Sequence, residues 1–251
     1  MMNLKRKLII FLIFILIGFK GFSQIKNAKI SYNVKINTNI DSLSKLSPER
    51  EKLFKMIFNE INTINMELIY FNGISVFKEI PLIFISKKQE SFHKLAKTVV
   101  RNSDIFYTNL GANTSSVYRN FEGINFLISS DFIYKWELIN EKKLVGDFEC
   151  HKALTVYTYK DRKGNLKKVP IVAWYTSKLP IPLGPKNYVG LPGLILELEE
   201  GDNAIVFYAT KIQLNLKDMQ EINFPKDVKI VTQEEFDKIT KVSYNGFFNM
   251  N

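Results

Sequence analysis

Cys150, His151 and Lys152 stand side by side, and their types come nearest to catalytic chemistry of any run in the chain. A thiol beside an imidazole suggests a nucleophile with its base, or two metal ligands. Strand geometry argues against both, because successive side chains in a strand point to opposite faces. Alternation groups Cys150 with Phe148, Lys152, Leu154 and Val156, and His151 with Glu149 and Tyr157. Cys150 therefore reads as a buried, inert thiol. His93 is the only other histidine, so a histidine-rich metal site is excluded. No G-x-S-x-G or H-E-x-x-H pattern occurs, and the scattered carboxylates define no acid–base pair. Catalytic residues, metal and cofactor are all expected to be none.

Lys152 is a cation on an otherwise apolar face. Either its stem lies on apolar surface while its head reaches solvent, or it sits inside a concavity. In the second case it needs an acid such as Glu137 or Glu197, or an anionic ligand. Lys160, Arg162, Lys163, Lys167 and Lys168 crowd one hairpin tip, read as a solvated turn, with contact to acidic headgroups or glycans as the sharper alternative.

The remaining candidates lie in a restrained loop. Leu179-Pro180-Ile181-Pro182-Leu183-Gly184-Pro185 leads through Lys186 and Tyr188 to Gly190-Leu191-Pro192-Gly193-Leu194-Ile195. Pro192 fixes φ for the first corner of a type II turn, and Gly193 is expected to supply the positive φ of the second. Leu191, Leu194 and Ile195 then anchor the turn, holding residues 180–185 as a rigid rim. Lys186 and Tyr188 are residues that a folding-only account leaves replaceable. The candidate binding set is Lys152, Trp174, Pro185, Lys186, Tyr188, Gly190, Leu191, Pro192 and Gly193.

The run from Gly190 to Ile195 resembles the signature of the GLPGLI family of secreted bacterial proteins. Further blocks look like the family's: Trp136-Glu137-Leu138, Gly146 through Ala153, Ala173-Trp174-Tyr175-Thr176, Ile181-Pro182 and Gly184-Pro185. One departure is Gly146-Asp147-Phe148, where the family has an aromatic Gly-Tyr pair, and it touches only the local turn. The family has no established catalytic activity, so the resemblance carries over no catalytic residues. A similar, bowl-shaped domain precedes the catalytic part of some secreted peptide-N-glycosidases, a part without counterpart here.

The elements that position these residues are mostly strands. Residues 25–36 alternate as a first strand, and Ser47-Pro48-Glu49 opens an amphipathic helix. Residues 66–71 and 74–80 flank Asn72-Gly73, the strongest hairpin signal in the chain. Residues 86–103 are mixed, with helical character. Strands follow at 105–110, 115–121, 124–129, 133–140, 148–160, 166–176, 194–199 and 204–216. Thr232-x-x-Glu235 is a capping box opening a short helix. Short turns imply antiparallel pairing, and long strands coil. The fold expected is α+β, predominantly antiparallel, a curved, half-open, bowl-like sheet with one or two packed helices. A closed β-barrel is the alternative.

Lys5-Arg6-Lys7, an apolar run over residues 8–19, then Gly21 and Ser23 have the order of a signal peptide cleaved before Gln24. The run is too short to span a bilayer. No transmembrane segment remains after cleavage, and the periplasm or cell surface is the expected destination. Residues 24–245 then form one domain and 246–251 a frayed tail. Cleavage removes four basic residues and no acidic one, so the charge of +10 falls to +6. That is too mild to suggest nucleic acid. A single Cys precludes an internal disulfide. Two function classes follow. One is a non-enzymatic binding module for an apolar or amphiphilic ligand or an envelope protein, favoured by the aromatic content and rigid loop. The other is an envelope- or glycan-directed hydrolase, against which the missing motifs count.

Overall fold

The computed structural model describes residues 25–37, 47–131, 134–161, 164–201 and 205–248. The expected signal peptide at 1–23 lies outside these residues. In chain order the elements are β1 (Asn27–Ile36), α1 (Pro48–Ile61), β2 (Asn65–Phe71), β3 (Ile74–Glu79) and α2 (Lys87–Val99). β4 (Ile105–Asn109), β5 (Thr114–Phe121), β6 (Ile124–Asp131), β7 (Glu137–Val145), β8 (Phe148–Lys160) and β9 (Leu166–Thr176) follow. Last come β10 (Leu194–Glu200), β11 (Ile205–Leu214), β12 (Lys229–Thr232) and α3 (Gln233–Phe248). All the strands join one sheet in the order β12-β6-β5-β4-β3-β2-β1-β11-β10-β9-β8-β7. β12 and β7 are its free edges, so the sheet is open and the barrel alternative falls away. Among the described residues, no helix is long and apolar enough to cross a membrane.

Local chemistry accounts for the elements. Asn72 and Gly73 take φ of 46° and 88°, the left-handed pair that a tight hairpin between β2 and β3 requires. Pro48 occupies the first turn of α1, where a missing N–H costs nothing, and Glu49 and Glu51 complement the helix dipole. Thr232 accepts the Glu235 amide at 3.2 Å while Glu235 takes the Thr232 amide at 2.8 Å, closing the expected capping box. The helix it opens, α3, runs on to Phe248. β7 starts and ends later than expected, because the chain continues extended through Lys142–Leu144 to the turn at Gly146. β12 was not foreseen. It has only four residues, and it pairs β6 in parallel where antiparallel neighbours were expected.

Register identifies the core face. Val34, Phe207, Leu198 and Ala173 face one another across β1, β11, β10 and β9, and Ala153 of β8 continues the row. On the other side of β1, Ile30 leads to Leu68 and Phe77, and then to Phe106. The rings of Tyr32, Phe106 and Phe207 all pack on that of Phe77. α1 lays Ile57 and Ile61 on this face, and α2 adds Ala96 and, at its C-cap, Val100. α3 covers its far end, with Phe236 against Phe126. Distant strands converge over the same face. Arg101, after α2, lies over the Tyr159 ring of β8 at 5.4 Å, and Asn187 reaches Ser115 of β5 at 3.2 Å. This is the concave, inner face. Bulges in β11, β7 and β10 add the twist that lets so long a sheet coil.

Candidate ligand-binding site

The loop from Leu179 to Gly193 folds inward. Leu179, Ile181, Leu183, Tyr188, Val189 and Leu191 are all buried in the core, so the loop plugs the inner face rather than forming a rim around it. Leu183 and Val189 bridge across it, and the Gly190 amide donates to the Pro182 carbonyl at 3.3 Å. Of the candidate residues here, Pro185, Lys186, Tyr188, Leu191 and Gly193 are buried, while Gly190 and Pro192 are exposed.

The turn chemistry differs from expectation. Gly193 does not take a positive φ; Gly190 does, at 93°. The Gly193 amide donates instead to the Leu191 carbonyl at 2.8 Å, which makes a three-residue turn around Pro192. Gly193 is required for space. A Cβ there would stand 2.1 Å from the Thr176 carbonyl oxygen, because the turn enters β10 directly against β9.

Lys186 and Tyr188 are not replaceable surface residues. The Lys186 ammonium donates to Glu200 Oε2 at 2.6 Å with both side chains buried, and it lies 5.0 Å from the Phe207 ring. Tyr188 feels Glu200 as well; burial, then the charge of Glu200, drives its phenol well above the ordinary value. Tyr188 packs against Tyr134 at 4.8 Å and Trp136 at 6.3 Å. Trp136 Nε1 donates to the Val189 carbonyl at 2.8 Å, and the Tyr134 hydroxyl to Asn187 Oδ1 at 3.0 Å. Burial raises the Tyr134 phenol too, so both tyrosines stay neutral donors.

Where this wall meets the β4–β5 turn, a cleft of about 330 Å³ opens, lined by Leu110, Asn113, Tyr134, Pro182, Val189 and Gly190. Its lining mixes apolar side chains with a phenol, an amide and loop backbone, and its wall is fixed by hydrogen bonds. Such a pre-formed site suits a small, mainly apolar group. Sequence reasoning reached Gly190 and the proline segment but missed Tyr134, Leu110 and Asn113. In sequence Leu110 reads as the end of a strand over 105–110, and nothing local shows that residues 110–113 meet the loop across the bowl.

Lys152 and Trp174 lie together on the opposite, outer face. The expected grouping of Cys150, Lys152, Leu154 and Val156 holds, but the inner face of β8 belongs to Ala153, Thr155 and Tyr157. Lys152 is half-buried, pairs with Glu141 at 2.9 Å rather than Glu137 or Glu197, and lies 5.7 Å from the Trp174 ring. Lys143 covers the same ring at 4.2 Å and pairs with Glu197 at 2.6 Å. Trp174 Nε1 donates to Glu199 Oε1 at 3.0 Å. Burial, and then the hydrogen bond from Glu197, holds the Glu199 carboxyl above its usual range despite the Trp174 bond. Apolar residues collect on this face too: Cys150 and Trp174 are buried, and Phe148 and Val172 pack beside them. Cys150 is wholly buried, and desolvation pushes its thiol up to about 11. Among the described residues no group of His, Cys, Asp and Glu could hold a metal ion. At the hairpin tip, Lys160, Lys167 and Lys168 are exposed, whereas Arg162 and Lys163 lie outside the described residues.

Residues 160–197, spanning β9 and the loop, match a family described as a protein of unknown function (Porph_ging). No curated protein matches the sequence. Two solved structures of PNGF-II, in the P21 and C2 space groups, are similar in fold. The TM-scores are 0.52 and 0.51, at 14% and 13% identity, over 85% and 86% of this chain. This chain spans only about a third of theirs, 33% and 32%, so the likeness describes how a bowl of this kind is built.

Proposed function

We propose that the chain is an exported binding module of the GLPGLI type, working in the periplasm or at the cell surface without catalysis of its own. Its inner-face cleft takes the apolar end of an amphiphile or an apolar side chain of an envelope protein. The observation that carries this reading is the cleft itself, between Pro182, Val189 and Gly190 of the plugged loop and Leu110 and Asn113 across the bowl. A wall held by Trp136, Tyr134 and Asn187 is already ordered before anything binds, which lowers the cost of binding. Export is supported by the charged, apolar and small-residue order of residues 1–23.

Trp136 reports on the cleft, because its ring lies 4.0 Å from where a Cβ on Gly190 would sit. In a Trp174→Phe background, decanoic acid should shift Trp136 emission saturably. Leu110→Phe, which fills the cleft, should abolish the shift. A response absent in the parent, or unchanged by Leu110→Phe, would remove the cleft as a binding site.

A further inference from the structure

The segment joining β3 to α2 reads Ile80-Pro81-Leu82-Ile83-Phe84-Ile85, six residues without a polar side chain. Ile83 and Ile85 are 96% and 93% exposed, more than any other large apolar residue described. Leu82 and Phe84 alternate with them and are half-buried. Phe84 packs on the His93 ring at 5.1 Å, and that imidazole is gripped between Glu60 of α1 and Glu79 of β3. The base of the loop is therefore held while the two isoleucines project. Its backbone is partly provided for. Ile80 donates to the Asn65 carbonyl at 2.8 Å, Pro81 has no N–H, and the Ile85 amide donates to Gln89 Oε1 at 3.1 Å. Lys87 and Lys88 follow at once, both exposed, and neither forms an ion pair among the described residues.

Packing does not explain this arrangement. Scattered exposed apolar residues are ordinary, but two fully projecting isoleucines on an uncharged six-residue loop mark a surface that meets something else. Beside them, two unpaired ammonium groups specify what that is. We propose that residues 80–85 are a membrane-surface anchor. Ile83 and Ile85 enter the headgroup–acyl boundary of an anionic phospholipid bilayer, and Lys87 and Lys88 meet its phosphates. A protein partner would need a pocket for both isoleucines and carboxylates placed for both lysines. The bilayer surface supplies an apolar layer beneath an anionic one without special shape. With two side chains of each kind the contact is weak, reversible and sensitive to salt. It uses none of the cleft residues and stands whether or not the cleft binds a ligand.

The test uses the whole chain carrying Ile85→Cys, labelled with the fluorophore NBD. Cys150 is wholly buried, which leaves position 85 as the accessible thiol. The dye reports position 85 itself, so retention or loss of residues 1–23 does not confuse the result. With phosphatidylethanolamine–phosphatidylglycerol vesicles, its emission should shift to the blue and its quenching by aqueous acrylamide fall several-fold. The same dye at Leu144→Cys, on the exposed edge strand β7, should stay fully quenchable. Ile83→Ser, Lys87→Gln with Lys88→Gln, and high salt should each lower the response several-fold. A dye at 85 that remains water-exposed on these vesicles would overturn the proposal. So would a response indifferent to both the lysines and Ile83, or one that needs an added envelope protein instead of lipid.

Discussion

At Lys186 the backbone, burial and charge all say that the residue is fixed from within. Its φ of 56° lies in the left-handed region that a non-glycine residue enters only when its contacts hold it there. Its ammonium is committed to Glu200, whose charge also acts on Tyr188. Removing one partner of a buried pair strands the other charge and costs about 3–5 kcal/mol, whereas replacing both by neutral groups is often close to harmless. Lys186→Met keeps the chain length and the backbone strain, so it isolates the charge. We expect Lys186→Met alone to destabilise the protein by about 3–5 kcal/mol in urea unfolding, and Lys186→Met with Glu200→Gln to recover most of that loss. A single variant as stable as the parent would mean that the lysine is free to meet a ligand.

The loop from Leu179 to Gly193 acts as one element, and its glycines divide the work. Gly190 answers a conformational demand at φ 93°, and Gly193 a steric one against the β9 backbone. Alanine at Gly190 should cost about 1 kcal/mol through strain. Alanine at Gly193 must push β10 away from Thr176 and should cost more, toward about 3 kcal/mol. Denaturant midpoints of the two variants decide it, and a harmless Gly193→Ala would refute the close approach. Sequence patterns located this element and many others. β8 and β9 were legible to the residue, because long alternation between clear turns leaves little freedom. The β2–β3 hairpin was legible through Asn72-Gly73. What could not be read was tertiary. The four polar-flanked residues of β12 become a strand only because β6 offers them an edge. For Lys152 two readings stayed open, because Leu154 and Val156 make its face look internal; only the sheet register shows that this face is the outer one. Lys186 and Tyr188 looked replaceable because nothing in a proline-rich loop says which way it folds.

Across the whole molecule, β1 joins the two halves of the sheet. It pairs Ala28–Ile36 with Ile205–Leu214 on one side and Asn27–Asn33 with Asn65–Phe71 on the other, joining the early strands to the late ones. Tyr32 adds a buried bond from its hydroxyl to the Ile195 carbonyl at 2.7 Å. Without β1 the two halves of the sheet would each expose a long apolar edge. One core cluster also spans both, from Ile57 and Ala96 under the helices to Leu191 and Leu198. We therefore propose that residues 24–245 unfold as one cooperative unit. Both tryptophans lie in the late half, Trp136 just before β7 and Trp174 in β9, whereas far-ultraviolet circular dichroism reads the whole chain. Thermal transitions followed by the two signals should coincide, as two-state unfolding requires, and reductant should not move them because Cys150 is the only cysteine. A fluorescence transition separated from the dichroism transition would show that the early strands and the helical pair melt on their own. The bowl would then be two units sharing an edge rather than one.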